Sequence, residues 1–575
     1  TFNSNALIND RFLAAIDAVT DPTTGQAACR SSVDVNAPAT TTPFNIPAYD
    51  PGYFSFTPGD GSCVPLNIWA GATGITQAAV DWVTRATNTE VTIDQTVISG
   101  YVAGDSSDYF SLPDGPIDFA AGFEYRDESS EAIFDPFARG ILPAGSPFGE
   151  GTLLSDVSGN SNLLFRPALG NANEIGEYDA TDLFVEVSAP LLIGRQWAQE
   201  LVVDAAVRLS DYSTIGNATT WKASISYAPV NDIRFRATLS EAVRAPNITE
   251  LFAPTTGITS RPVDPCDAAQ INAIAADNPT LAGQYQANCV ADLQSIGVDP
   301  FDANGTYVFA DPLSAAFGGI ASGNANLDEE VAETITVGFV LQPRFLEGFT
   351  FSIDYWDIEI EDAIASVSDQ DIVDACYSGT SLNGAFCSLF TRNGDANSLQ
   401  FGGFNFIQRS LVNFAQLETN GFDFTAGYKF DIGEHGFDIK VSGTKVHELN
   451  RFADPLDLSV VDVELGEVNR PEWAGNVFAS WFYGDWSVGW QSQYQGEQLL
   501  SFLEIDTAEA LYGDSVFQDG FWQHDLNFSF QYSEELSLYG GIKNVTEEDP
   551  FITDFAFPAS PRGRFFFVGG TYSLQ

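Results

Sequence analysis

Six cysteines pose the first chemical question. They fall by sequence into three local pairs, Cys29 with Cys63, Cys266 with Cys289 and Cys376 with Cys387, and no C-x-x-C occurs. That spacing suits neither a zinc ribbon nor a dithiol redox centre. Pairs closed inside Pro-, Gly- and Asn-rich stretches read as loop staples made in an oxidising compartment. The histidines, His435, His447 and His524, are too few for an all-His metal site. The acidic runs Asp328-Glu329-Glu330 and Glu547-Glu548-Asp549 offer oxygen ligands for a hard cation such as calcium. Such runs are more often solvated loop charge, and no ligand spacing recurs, so no metal and no cofactor is assigned. Nucleophile-elbow, zincin, Walker A and dinucleotide-binding patterns are absent. The chain therefore offers no catalytic residue and does not read as an enzyme.

Charge narrows the partners further. Among 575 residues, 78 are acidic and 24 basic, a formal net charge of −54. Phosphate contacts need basic side chains, so a nucleic-acid partner is excluded. Hydrophobic residues at 44% and aromatics at 13% exclude a disordered chain. No apolar run is long enough for a transmembrane helix, but a transmembrane barrel leaves no such run.

Those residues have to be positioned by strands. Alternation of period two recurs over segments of about ten residues. Trp221, Ala223, Ile225 and Tyr227 alternate with Lys222, Ser224 and Ser226, and Leu526, Phe528, Phe530 and Tyr532 with Asn527, Ser529 and Gln531. Phe437, Ile439 and Val441 alternate likewise with Asp438, Lys440 and Ser442. The expected lipid-facing belt comprises Leu526, Phe528, Phe530, Trp221, Ala223, Ile225, Phe437 and Ile439, with their sequence neighbours facing the lumen. Few segments have a helical period. Connections come in two sizes: tight turns such as Asp431–Gly436 and Tyr483–Asp485, and long polar stretches at 127–177, 248–328, 365–405, 452–469 and 501–520. Short turns on one side and long loops on the other mark an outer-membrane barrel. Tyr355, Trp356, Trp481, Tyr483, Trp486, Trp490, Trp522 and Tyr572 near strand ends suit interfacial girdles.

The alternating segments predict strands near 90–105, 117–127, 178–192, 199–212, 217–229, 232–244, 330–342, 348–362, 408–430, 436–450, 471–483, 486–498, 521–533, 535–546 and 563–575. The fold class is all-β: a transmembrane antiparallel β-barrel with long extracellular loops. Bacterial single-chain barrels have an even number of strands. About fifteen strands therefore predict a partial barrel, with residues 1–89 an extracellular loop region and 90–575 the C-terminal part of the barrel.

Four segments resemble the TonB-dependent receptors of the Gram-negative outer membrane. The first runs from Ser240 through Arg244, Pro246, Asn247 and Glu250 to Leu251-Phe252, with Val243 where the family usually has Phe. The second holds Gly323, Asn324, Asn326, Leu327 and Glu330, with Ala325 and Glu329 where prolines are usual. The third runs from Asn413 through Thr419 to Gly421 and Asp423. The fourth runs from Gly541 through Asn544-Val545, Pro550 and Pro561 to Gly563-Arg564. They occur in the family's order over roughly 240–575. Structural roles at rims and turns are the expectation for all four: Pro246 cannot donate to a ladder, and Arg244 either faces the lumen and contacts a plug carboxylate or lies in solvated loop.

The resemblance implies a 22-stranded barrel with an N-terminal plug, neither plug nor TonB box being visible in this sequence. It implies active nutrient uptake across the outer membrane, powered by the TonB–ExbB–ExbD complex, with membrane lipid as surroundings and a small nutrient as ligand. A passive porin, or a structural barrel whose acidic loops bind a surface protein, are the alternatives. Siderophore, saccharide and peptide remain open as substrates, since an acidic loop field repels anionic siderophores. Substrate-binding residues are not identified. Phe44, Tyr49, Tyr53, Phe54, Phe56, Trp69 and Tyr377 are loop aromatics that either meet substrate or pack the loops internally.

Overall fold

Alternation along each strand becomes a sheet with two chemically different faces in the computed structural model. The structure describes residues 2–33, 54–73, 75–157, 163–164, 173–313, 315–382, 384–452, 461–501, 505–549 and 562–573. Its main sheet is built from β1 (Thr84–Asp105), β2 (Asp118–Phe134), β3 (Glu174–Arg195), β4 (Ala198–Tyr212) and β5 (Gly216–Val230). It continues with β6 (Ile233–Arg244), β7 (Glu330–Leu341), β8 (Phe349–Ser366), β9 (Phe404–Ile432) and β10 (His435–Phe452). It ends with β11 (Trp473–Tyr483), β12 (Trp486–Gln495), β13 (Phe521–Gln531), β14 (Leu536–Lys543) and β15 (Phe565–Tyr572). Each pairs antiparallel with the next in chain order.

The register shows which side chains share a face, because directly opposed residues project together. Ile225 opposes Ala237, which opposes Val337, then Tyr355 and Phe422. Phe430 opposes Phe437, which opposes Trp481, then Val488 and Phe528. All eight expected belt residues, Trp221, Ala223, Ile225, Phe437, Ile439, Leu526, Phe528 and Phe530, fall on this one face. Between them lie Ser226 against Arg236, Asp354 against Asp423, and Ser487 against Ser529. Trp356 is an exception among the expected girdle residues. It opposes Gly421 on the polar face, while its neighbour Tyr355 opposes Phe422 on the apolar one.

Tight turns close one end of the strands. Gly433 and Gly484 carry positive φ of 64° and 52° in two-residue connections, where a side chain would be strained. Beside them the apolar face carries a row of rings: Phe339 on Phe351 at 5.8 Å, Phe430 on Phe437 at 5.0 Å and Trp486 on Phe530 at 4.5 Å. A second group stands toward the other end, with Tyr355 on Phe422 and Tyr494 on Trp522.

The long connections are more ordered than their polar composition suggests. The largest buried apolar cluster among the described residues lies there, between residues 258–317 and 367–412, and meets the sheet at the start of β9, which supplies Phe404 and Ile407. It contains α1 (Ala268–Asp277), α2 (Pro279–Ser295), α3 (Asp369–Tyr377) and α4 (Gly384–Cys387). The described part of residues 1–89 carries elements of its own. It holds a strand Phe2–Leu7, helices Asn9–Ile16 and Gln77–Val83, and the start of β1 at Thr84. The strand Phe2–Leu7 pairs with the first residues of β1, Phe2 opposite Asn88. Ala15, Leu66, Ala79 and Val83 are buried together in one small core there.

Candidate functional site

The long-loop end is where the sequence motifs meet. At the top of β6, Arg244 donates to Glu330 on β7 and to Glu250, with Nη2 to Glu330 Oε1 at 2.7 Å. Pro246 ends the strand, and Asn247 caps the short helix Ile248–Phe252, accepting from the Glu250 amide at 2.8 Å while Glu250 accepts from the Asn247 amide. The second motif folds onto that turn. The Gly323 and Asn324 amides donate to the Ala253 and Glu250 carbonyls, and the Asn324 side chain donates to the Leu411 carbonyl. Its own Oδ1 accepts from the Asn326 amide. A Cβ on Gly323 would strike the backbone of Leu251 and Ala253, so the close approach requires glycine. The third motif locks the cluster. Asn413 donates to the Asp328 and Asp362 carbonyls and accepts from the Asp328 amide, and Glu330 accepts from the Ile364 amide.

Lower on β9, Gly421 lies against Trp356 and the Lys445 carbonyl, leaving no room for a Cβ, and Asp423 accepts from Thr444. The fourth motif is separate. Asn544, buried with φ 52°, bonds Glu548 in both directions and takes its own amide hydrogen bond to Asp525. Arg564, next to Gly563, reaches the Val545 carbonyl and pairs with Glu547. Pro550 and Pro561 lie outside the described residues. Residues 80 and more apart in sequence thus form one rim, and every polar group named is satisfied within the chain.

Above that rim stands a stapled lobe. Disulfides join Cys266 to Cys289 and Cys376 to Cys387, and a third joins Cys29 to Cys63 in the N-terminal segment. At the lobe's centre Arg392 has a side chain only 1% exposed. It bonds Asp264 through both terminal nitrogens at 2.6 and 2.8 Å, Asp292 at 2.9 Å, the Tyr377 hydroxyl and the Gly402 carbonyl, and lies 4.1 Å from the Phe404 ring centre. Burial alone would lower the guanidinium pKa, but the two carboxylates outweigh it and hold the charge. Burial pushes Asp374 up to about 6; Gln370 opposes the shift, while Asp371 and Asp264 add to it. Apart from Tyr377, none of these residues was visible as a site in the sequence. The one available signal was the density of Asp-Pro and Asn-Gly turns around the two cysteine pairs.

The loop aromatics divide. Phe56 packs edge-on against Phe54 and Trp82, and Tyr377 is fully buried with its hydroxyl on Asp292, so these pack the loops internally. Trp69 is 91% exposed and available to a ligand. Phe44, Tyr49 and Tyr53 lie outside the described residues. The histidines serve aromatic rows: His435 stacks on Tyr483, His447 meets Phe422 edge-on, and His524 lies beside Trp490 and Trp522. Among the described residues no group of three or more His, Cys, Asp or Glu is arranged to hold a metal.

A family model described as TonB dependent receptor-like, beta-barrel, matches residues 30–545. No curated protein matches the chain. Among solved structures, the siderophore receptor PirA from Acinetobacter baumannii is 12% identical, with 90% of this chain and 57% of that chain covered and a TM-score of 0.50. A mutant of the ferric enterobactin receptor PfeA from Pseudomonas aeruginosa is 14% identical, with 87% and 56% covered and a TM-score of 0.50. The chain spans little more than half the length of these structures, and the likeness is one of fold.

Proposed function

Because the chain belongs to the TonB-dependent receptor family of outer-membrane β-barrels, we propose that it is the barrel portion of a receptor for active nutrient uptake. The reading rests on one observation above all. A two-faced sheet, apolar toward lipid and polar toward its lumen, is crowned at one end by an ordered, disulfide-stapled lobe fixed to the strands. Loops that only had to close a pore need no such investment in buried structure. In this reading the lobe and the N-terminal segment capture a small ligand. Further strands and a plug complete the barrel, and the TonB–ExbB–ExbD complex supplies the work.

The test is accumulation of nutrient by cells carrying the whole receptor, with and without TonB. Loss of accumulation without TonB supports active uptake. Accumulation that is indifferent to TonB and follows the external concentration points instead to a passive pore.

A further inference from the structure

Most of the described arginines at the long-loop end are spent on carboxylates. Arg85 pairs with Asp135, Arg244 with Glu330 and Glu250, Arg261 with Asp311, and Arg392 with Asp264 and Asp292. Arg409 pairs with Asp369, Arg451 with Asp462 and Glu464, Arg470 with Glu464 and Glu467, and Arg564 with Glu547. Among the described cations Arg11, Arg139, Lys222 and Lys543 form no ion pair with a carboxylate; they sit on separate elements, and Arg11 is half spent on Ser55, donating to its hydroxyl and its carbonyl. The carboxylates meanwhile are in surplus: residues 245–329 hold ten against one arginine, 453–472 six against one, and 496–520 six against none.

The lumen wall below supplies a second, independent observation. From β11 to β13 its polar face presents mainly amides and hydroxyls in register, Asn476 opposite Gln493 opposite Gln523, Gly489 opposite Asn527, and Ser487 opposite Ser529, with Phe478 opposite Gln491 opposite the carboxylate Asp525 between them. Such a surface hydrogen-bonds uncharged polar groups and gives an anion no counter-charge.

We infer that this receptor takes an uncharged or cationic polar solute and rejects multiply anionic chelates. The inference rests on the uptake reading and narrows its substrate class. A mouth lined by one sign of charge between low-dielectric walls raises the local concentration of opposite charge and depletes like charge. An anionic ligand would need several free guanidinium or ammonium groups together to offset that field, and here most are already committed, the remainder lying on separate elements. The effect is electrostatic, so it shrinks as salt shortens the screening length.

Two measurements on the full receptor test it. The first is TonB-dependent accumulation of a ferric tris-catecholate, which is multiply anionic, beside an uncharged ferric tris-hydroxamate and a neutral oligosaccharide. The second is quenching of Trp69, read as the difference from Trp69→Phe, by caesium and by iodide at low and high salt. We expect caesium to quench several-fold better than iodide at low salt, the gap to close at high salt, and any accumulated probe to be one of the uncharged pair. Iodide quenching as well as caesium at low salt overturns the inference. TonB-dependent accumulation of the tris-catecholate at or above the uncharged chelate overturns it too, while leaving active uptake standing. If probes enter without TonB, active uptake fails and the quenching comparison alone decides the charge inference.

Discussion

At the scale of single residues, Arg392 is the pivot of the loop lobe. Removing one partner of a buried pair leaves the other charge uncompensated, which costs about 3–5 kcal/mol. Arg392→Ala should therefore open the lobe, seen as rapid protease cleavage within 256–412 while the strands stay protected. Arg409→Ala removes a half-exposed pair with Asp369, worth about 0–1 kcal/mol, and should leave the lobe resistant. Equal sensitivity of the two variants would contradict the central role of Arg392. Asp374 makes the lobe respond to pH. Its carboxyl keeps a proton in the folded lobe up to about pH 6, whereas its ordinary value is 3.8. The folded form therefore binds more protons between those values, and lobe stability falls as pH rises through that window. Asp374→Asn should flatten the dependence of lobe melting on pH between 4 and 6; an unchanged slope would assign it to other groups. The motif residues were legible as a set, but their purpose was not. A sequence shows Arg244, Glu330 and Asn413 as separate signatures, and only the register of β6 on β7 puts them at one rim. Arg392 gave no signal at all, because its partners lie 100 and 128 residues away.

At the scale of elements, alternation did most of the predictive work. A period of two is a local property, so each of the fifteen strands could be placed from its own residues. Their ends were harder. β2 continues to Phe134 and β9 begins at Phe404, since pairing with a neighbour extends a strand past the last clean alternation. Helix α2 escaped notice for a related reason. Its Gln, Asn, Ala and Asp content blurs any apolar stripe, although Asn278 as cap and Pro279 at the first position were available signals. The two faces carry a direct prediction. Phe528→Arg places a charge on the lipid side and should cost about 2–4 kcal/mol if it lies near the midplane. Asn527→Arg, one residue away on the polar face, should cost far less. Unfolding by urea in lipid vesicles compares them, and equal costs would reverse or abolish the facing. Phe528 also covers Gly540 on the adjacent strand, so Phe528→Ala should loosen β13 against β14 even without a charge.

At the scale of the whole molecule, the sheet's outermost strands are conspicuous. Tyr101 on β1 and Val568 on β15 are 75% and 85% exposed. In lipid every N–H and C=O along a strand edge needs a partner, and we read those partners as further strands. Cysteines placed at Phe2 and Asn88 should join as a disulfide, following their register. Cysteines at Gly100 on β1 and Phe567 on β15 should stay apart in the membrane; efficient cross-linking there would mean that fifteen strands close on themselves. The length of β9 has a last consequence. Its 29 residues span about 95 Å at roughly 3.3 Å each, whereas crossing the hydrocarbon takes about 9–11 residues. The surplus stands clear of the bilayer on the long-loop side, where Ile320–Ser322 add a parallel strand beside Gln408–Ser410. The lobe is thus carried on a stiff mast and not on tethers. An antibody or a phage approaching the cell would meet that raised platform before it met the membrane, and would find it held in a fixed orientation to the barrel beneath.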